Sequence, residues 1–368
     1  MKTKSFLSSR NIGLDLLRAG LIIEGVLLHA SRSLPGDNSW IYNSQRDPST
    51  LFTALLSLIH TFRMEVFFFL SGMFSALIIL RKGRAFFYDN RRKRLLLPLL
   101  SAYIIIPPLM YCLEKQMSTS VITLKGVLES YATLHHLWFL VSLSIMSLLI
   151  PNRFYQWCAR YFAKMPLPFL IALLIVLGNL FFVLKFLTKG QGDFINLIPV
   201  TARFLVYYTA GYALYIHRGN ISCYSNSIVM NGGLIAALAM AIWLGFFMVA
   251  EFHIEGAMKY LPTLAGSVFS VLLSYWFVFK FEKIQIKENR MLTTIIDSAL
   301  VIYLLHYPVV IAFSWLLDTW LPAQFSIIYV LIDFVIGIAV SVMCYFLIKQ
   351  SHYASFIFGV KPKMKKCT

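Results

Sequence analysis

Four ionisable residues lie inside the first apolar stretch of the chain, residues 12–31: Asp15, Arg18, Glu24 and His29. The stretch has the length of a bilayer-crossing helix, for which about twenty apolar residues are needed. A charge at a membrane centre costs roughly 2.5–3.5 kcal/mol even on the lenient insertion scale, so a plain anchor would not carry four such groups. Arg18 and His29 are eleven positions apart. That is about three helical turns, which places them on one helix face roughly 16 Å apart along the axis. Asp15 precedes Arg18 by three positions, within pairing reach. A neutral imidazole is a natural general base for activating a hydroxyl. This helix is read as the wall of an active site.

Further candidates stand at a matching depth. His60, Arg63 and Glu65 open the second apolar stretch, and the two charges fit either a site or a wet membrane interface. His135 and His136 open the fourth stretch. His306 precedes Tyr307 and Pro308 in the ninth, where a proline frees a carbonyl and favours a kink. His136 and His306 fit structural hydrogen bonding as well as acceptor contact or proton relay. Several histidines on one level raise the question of metal. No spacing such as H-E-x-x-H occurs, and no bound metal is expected. Arg203, near the end of the sixth stretch, is placed to pair with a carboxylate. The run RKGRAFFYDNRRKR over 81–94 packs seven cations into fourteen residues. It suits anionic lipid headgroups or the phosphates of a cytosolic ligand.

The elements that must position these groups follow from composition. Of 368 residues, 59% are hydrophobic and 13% charged, about half the charged share of a soluble domain. The net charge of +17 could suggest nucleic acid, but the cations gather in short loops between apolar spans, and no nucleic-acid partner is expected. The expected fold is an all-α polytopic membrane protein, a bundle of about ten transmembrane helices forming one domain. The spans fall near 12–31, 51–80, 95–113, 135–151, 167–187, 198–216, 227–250, 261–280, 293–313 and 326–347, followed by a basic tail over 348–368. With the N-terminus inside, inner segments hold 23 Lys/Arg and outer loops seven, which predicts both termini cytoplasmic. Charges interrupting the first stretch argue against a cleaved signal peptide. The five cysteines are scattered without a pairing or metal pattern. A short surface helix is expected within 114–134, and Trp40 and Tyr42 suit an interfacial loop. His29, His60, Arg63, Glu65, His136 and His306 then converge at the outer half, with the cationic run on the inner side. That arrangement suggests a group transferase facing both compartments, and it also fits a transporter with intramembrane proton-relay residues.

The segments LDLLRAGLIIEGVLLH, EVFFFLSGMF, AFFYDNRRKRLLLP and ALVIYLLHYP together resemble the integral-membrane acyltransferase 3 family, over nearly the whole chain. The most specific pieces are an Arg-x10-His pattern, met by Arg18 and His29, and two arginines before L-x-P, met by Arg91 and Arg94 ahead of Leu95 and Pro98. Glu65 stands where the family usually has Asp, and Glu24 departs from a usually apolar position. IHTFRMEVFFFLSG, HHLWFLVSL, IYLLHYP and the closing GVKP are most similar to a glucan-succinylating subgroup. The resemblance implies a bacterial inner-membrane enzyme that takes succinyl from cytosolic succinyl-CoA, a co-substrate rather than a bound cofactor, to hydroxyls of periplasmic β-glucans. It makes His29 catalytic and Arg18 its companion, with Asp15 orienting or neutralising Arg18. Arg91 and Arg94 would hold the coenzyme A phosphates. Arg63 would meet the succinyl carboxylate, with His60, Glu65, His136 and His306 around the substrates. Direct attack and an acyl-His29 intermediate both remain open. So do an acetyl donor with another envelope polysaccharide, and a saccharide transporter or flippase.

Overall fold

A computed structural model of the chain describes residues 11–34, 40–44, 46, 49–188, 190–221, 239, 261–322 and 324–362. The expected seventh span over 227–250, His253, the cations of residues 2–10 and the end of the basic tail lie outside the described residues, Ala239 apart.

The first helix, α1 (Ile12–Ser31), covers the whole first apolar stretch. Asn11 caps it, its side-chain oxygen accepting from the Leu14 N–H at 3.0 Å, so one of the orphan donors of the first turn is satisfied. The next helix, α2 (Thr50–Arg91), runs 42 residues and contains a break at Gly83, whose φ of 82° only glycine adopts without strain. A π-helical turn (Arg92–Leu96) leads into α3 (Leu97–Met117). Pro98 has no N–H to offer the Arg94 carbonyl, and the chain widens there, with the Leu97 N–H reaching the Arg92 carbonyl. The stretch expected to hold a short surface helix carries α4 (Leu124–Glu129), with no buried residue. Then come α5 (Trp138–Ser144), running on through a π turn at Ile145–Leu149, and α6 (Asn152–Phe162). The remaining helices are α7 (Leu167–Leu187), α8 (Asp193–Ile221), α9 (Leu261–Lys283), α10 (Arg290–Trp320), α11 (Ser326–Gln350) and the short α12 (His352–Ile357). Among the described residues there is no strand.

Four helical stretches among the described residues are long and apolar enough to cross a membrane: Leu58–Met117, Leu124–Leu149, Arg290–Trp320 and Ser326–Gln350. The chain is an all-helical integral membrane protein. By length alone α1 would qualify, but Asp15, Arg18 and Glu24 interrupt it.

The bundle is tied together around α2, which packs on α8, α9 and α1. Gly72 and Gly211 make the closest crossing. A Cβ at Gly72 would lie 1.8 Å from the Tyr208 carbonyl oxygen, and one at Gly211 would lie 1.9 Å from that of Phe69. Two antiparallel backbones touch there because both positions lack a side chain. At the α1–α2 crossing, Gly25 faces Arg63 and Arg18 faces Phe74, so these helices are also antiparallel. The main core is aromatic, with Phe67, Phe68, Phe139, Phe204 and Tyr212 at its centre.

Candidate active site

Near the C-terminal end of α1, half-buried His29 packs its ring against three aromatic neighbours. Trp40 stacks on it at 5.3 Å between centroids and 10° between planes. His306 lies 5.2 Å away and Tyr307 5.1 Å away, edge-on. His136 joins through Tyr307, stacked at 4.6 Å, and through His306 at 5.4 Å. Of the five histidines expected at one depth, His29, His136 and His306 therefore meet, and the His135 ring reaches Tyr307 at 5.9 Å. His60 is an exposed residue of α2. Among the described residues no group of three His, Cys, Asp or Glu side chains is placed to share a metal ion.

The backbone of α10 explains why His136 sits where it does. Pro308 carries no N–H, so the Leu304 carbonyl lacks its helical donor. The His136 Nε2–H donates to that carbonyl at 3.1 Å. In return the Tyr303 hydroxyl donates to the His136 carbonyl, which fixes α10 against the start of α5. The His306 Nδ1–H donates to the Ile302 carbonyl at 2.8 Å. These bonds leave His136 Nδ1 and His306 Nε2 buried with no hydrogen-bond partner, and His29 Nδ1 is in the same condition. With 5% and 2% of their surfaces exposed, His136 and His306 belong to the protein interior.

Arg63 lies against this group. Its Nη1 packs on the α1 backbone, where a Cβ at Gly25 would come within 2.1 Å of it. Its charge reaches His29 and His306, and the carboxyl groups of Glu24 and Glu65 interact with it. Arg63 Nε and Glu24 Oε2 are both buried without a hydrogen-bond partner. Glu65, 1% exposed, is committed elsewhere, accepting from Arg203 Nη2 at 2.5 Å. The carboxylate partner of Arg203 is thus Glu65, on the neighbouring helix.

Toward the opposite end of α1, the Arg18 guanidinium stands 3.7 Å from the Asp15 carboxylate and packs over the Phe74 ring. Arg91 is close enough to feel the Arg18 charge. It donates to Ser75 Oγ at 2.9 Å and lies over Phe87, and the Tyr208 hydroxyl completes the contact by donating to the same Ser75. A small cavity adjoins this point, lined by Ser75, Asn152 and Tyr208 together with the apolar Ile79, Phe87 and Ile150, among others. Arg94 is exposed, one turn beyond Arg91. The two arginines of the basic motif therefore differ, one turned inward and one on the surface.

The buried polar atoms at the His29 end are the chemically informative ones. His29 Nδ1, Trp40 Nε1, Glu24 Oε2, Arg63 Nε, His136 Nδ1 and His306 Nε2 all lack partners. An unsatisfied buried donor or acceptor costs about 1–3 kcal/mol, a penalty that a polar ligand making those bonds would remove. Such a group of atoms could bond to a ligand rich in hydroxyl, carbonyl or carboxylate oxygens. By its sequence Trp40 suits only an interfacial loop, and Tyr303 and Tyr307 stand out by no spacing of their own. The adjacency of Tyr307 to His306 was the available signal, and nothing in spacing marks Trp40.

A family profile described as an acyltransferase domain matches residues 11–346. The chain is similar to proteins named "Glucans biosynthesis protein C". The one from Salmonella typhimurium is 25% identical over 387 aligned positions, covering 97% of this chain and 96% of the relative. The one from Escherichia coli O139:H28 is 24% identical, covering 98% and 97%. No solved structure matches.

Proposed function

The chain belongs to this family of membrane acyltransferases, and from that membership we propose that it is a multi-pass O-succinyltransferase of the bacterial inner membrane. It moves a succinyl group from cytosolic succinyl-CoA to hydroxyls of periplasmic β-glucans. The observation that carries the acyl-transfer reading is the set of unpartnered polar atoms around His29. The glucan reading is supported by the name shared by the relatives, which points to glucan biosynthesis.

In this reading the His29 end faces the periplasm and the run over 81–94 faces the cytoplasm. Coenzyme A phosphates rest on Arg91 and Arg94, whose forks suit phosphate oxygens. The pantetheine arm passes Arg18, which Asp15 orients, and bridges roughly half of the ~30 Å hydrocarbon thickness. His29 takes the proton from a glucan hydroxyl as its oxygen attacks the thioester carbonyl. The C–S bond breaks and coenzyme A leaves as the thiol, with succinyl now esterified to the sugar. Arg63 holds the free succinyl carboxylate, while His136 and His306 keep the acceptor side of the pocket in place through their backbone bonds. Glu24 favours a second reading, an uncharged acetyl donor, because its carboxyl group already interacts with Arg63.

Coenzyme A release by the purified protein, given succinyl-CoA or acetyl-CoA and a β-glucan oligosaccharide, tests the assignment. Release from succinyl-CoA with mass gained on the glucan is expected, and His29→Ala should lower it about 10²–10⁴-fold, the usual worth of a general base. Turnover of acetyl-CoA alone would move the assignment to the second reading. Saccharide movement without coenzyme A release would replace it with transport.

A further inference from the structure

We propose that Trp40 is a specificity-determining residue that reserves the His29 site for a sugar hydroxyl by excluding water. The inference rests on the acyl-transfer reading. Transfer and hydrolysis of a thioester differ only in the nucleophile. If water attacks the carbonyl, the C–S bond breaks, coenzyme A leaves as the thiol, and free acid forms in place of an ester. A transferase with a general base at its centre must therefore keep that base dry until the acceptor arrives.

Trp40 covers one face of His29, with Tyr307 edge-on to both rings. Arg32 stacks on the indole as well, its guanidinium carbon 4.7 Å from the ring. With these neighbours the indole is only 7% exposed, so a sugar ring could not use it as a platform without displacing one of them. Its N–H has no partner, so stacking and the backbone of its own segment hold the ring in place.

That segment is clamped at both sides. The Ser44 N–H donates to the Ser33 carbonyl at 2.8 Å, returning the chain to the end of α1. On the other side Asp318 of α10 accepts from Tyr42 at 2.7 Å, Ser44 at 2.8 Å and Arg46 Nε at 2.7 Å. The remaining Arg46 nitrogens donate to the carbonyls of Leu317, Leu321 and Pro322 at the end of α10, where those of Leu317 and Pro322 also accept from the Leu321 and Phe325 N–H groups. Tyr329 of α11 lies under the guanidinium at 4.3 Å. A strap this heavily bonded is built to hold one position, and the position it holds puts an indole on the imidazole.

Two readouts on the purified full-length protein test the proposal. The first needs no turnover. Carbethoxylation of His29 by diethyl pyrocarbonate, followed by peptide mass spectrometry, should be about tenfold faster in Trp40→Ala, because the face of the half-buried ring that the indole covers is then open to solvent. Trp40→Phe should remain near wild type, and Asp318→Asn, which loosens the strap, should fall between. The second readout is the ratio of free succinate to succinylated glucan. That ratio should rise in Trp40→Ala and return toward wild type in Trp40→Phe, a rescue that a general folding defect would not give. Should Trp40→Ala fail to fold, Asp318→Asn carries both readouts. Unchanged His29 labelling in the loosened proteins would overturn the proposal. So would a Trp40→Ala protein whose only defect is a raised KM for glucan, which would make the indole an acceptor platform. If the wild type turns over no acyl donor, the acyl-transfer reading fails on that result, and the labelling rates still decide whether Trp40 shields His29.

Discussion

The two ends of α1 are built on opposite principles. At the His29 end, stacked rings and backbone bonds fix every group, yet several polar atoms remain unsatisfied inside the protein. At the other end the charged groups are mostly paired or solvated, with Arg91 Nε and the neighbouring Asn152 Nδ2 the buried exceptions. Arg18 meets Asp15, Arg91 meets Ser75, and Arg94 with its neighbours Arg92 and Lys93 is exposed. Rigid placement with unmet polar demand suits the place where bonds change, because preorganised groups need no rearrangement as charge develops. Long, solvated cations suit capture and release of a charged ligand, where loose geometry is sufficient and residence is short.

Mutations should separate the ends sharply. The largest effect is expected from Glu65→Ala, which removes the buried carboxylate that Arg203 bonds. Removing one partner of a buried pair costs about 3–5 kcal/mol, and the Arg203 and Glu65 side chains are 19% and 2% exposed. Thermal unfolding in detergent should show a large drop in midpoint, partly recovered in the Glu65→Ala, Arg203→Met double variant. A small drop would mean that the pair is solvated and the contrast overstated. Arg63→Gln should come next. It should depress succinyl transfer roughly 10- to 100-fold more than acetyl transfer, the range given by a charge-assisted hydrogen bond of about 1.5–3 kcal/mol. Equal losses with both donors would remove Arg63 from donor selection and leave Glu24 as its structural counter-ion. The smallest effect is expected from Arg94→Gln, a rise of a few fold in KM for acyl-CoA at constant kcat, shrinking as salt is raised. A fall in kcat of the size seen for His29→Ala would place Arg94 in the chemistry and erase the distinction.

Much of the helical architecture is legible in the sequence, because long apolar runs and polar interruptions report directly on elements that must satisfy their backbones internally. The first and fifth spans coincide with α1 and α7, residue for residue. The second is less legible. The basic run does not end its helix, and α2 continues to Arg91 with its bend at Gly83, since a glycine among cations gives no hydropathy signal. Of the candidate site, the meeting of His29, His136 and His306 could be anticipated from helix direction and depth. The Arg63 approach could not, because it depends on Gly25 having no side chain on a different helix. Nor could the strap. Arg46 and Asp318 lie 272 positions apart, and no periodicity relates a loop arginine to the last turn of a distant helix.

Pro308 has a further consequence, for biogenesis. A newly inserted α10 carries into the bilayer a Leu304 carbonyl that its own helix cannot satisfy, and an unsatisfied backbone group in hydrocarbon costs several kcal/mol. The donor comes from His136, 168 positions earlier in the chain. The segment bearing His136 is thus synthesised first and waits, and α10 reaches its lowest energy only on docking against it. The same bond ties the docking of α10 to completion of the histidine cluster.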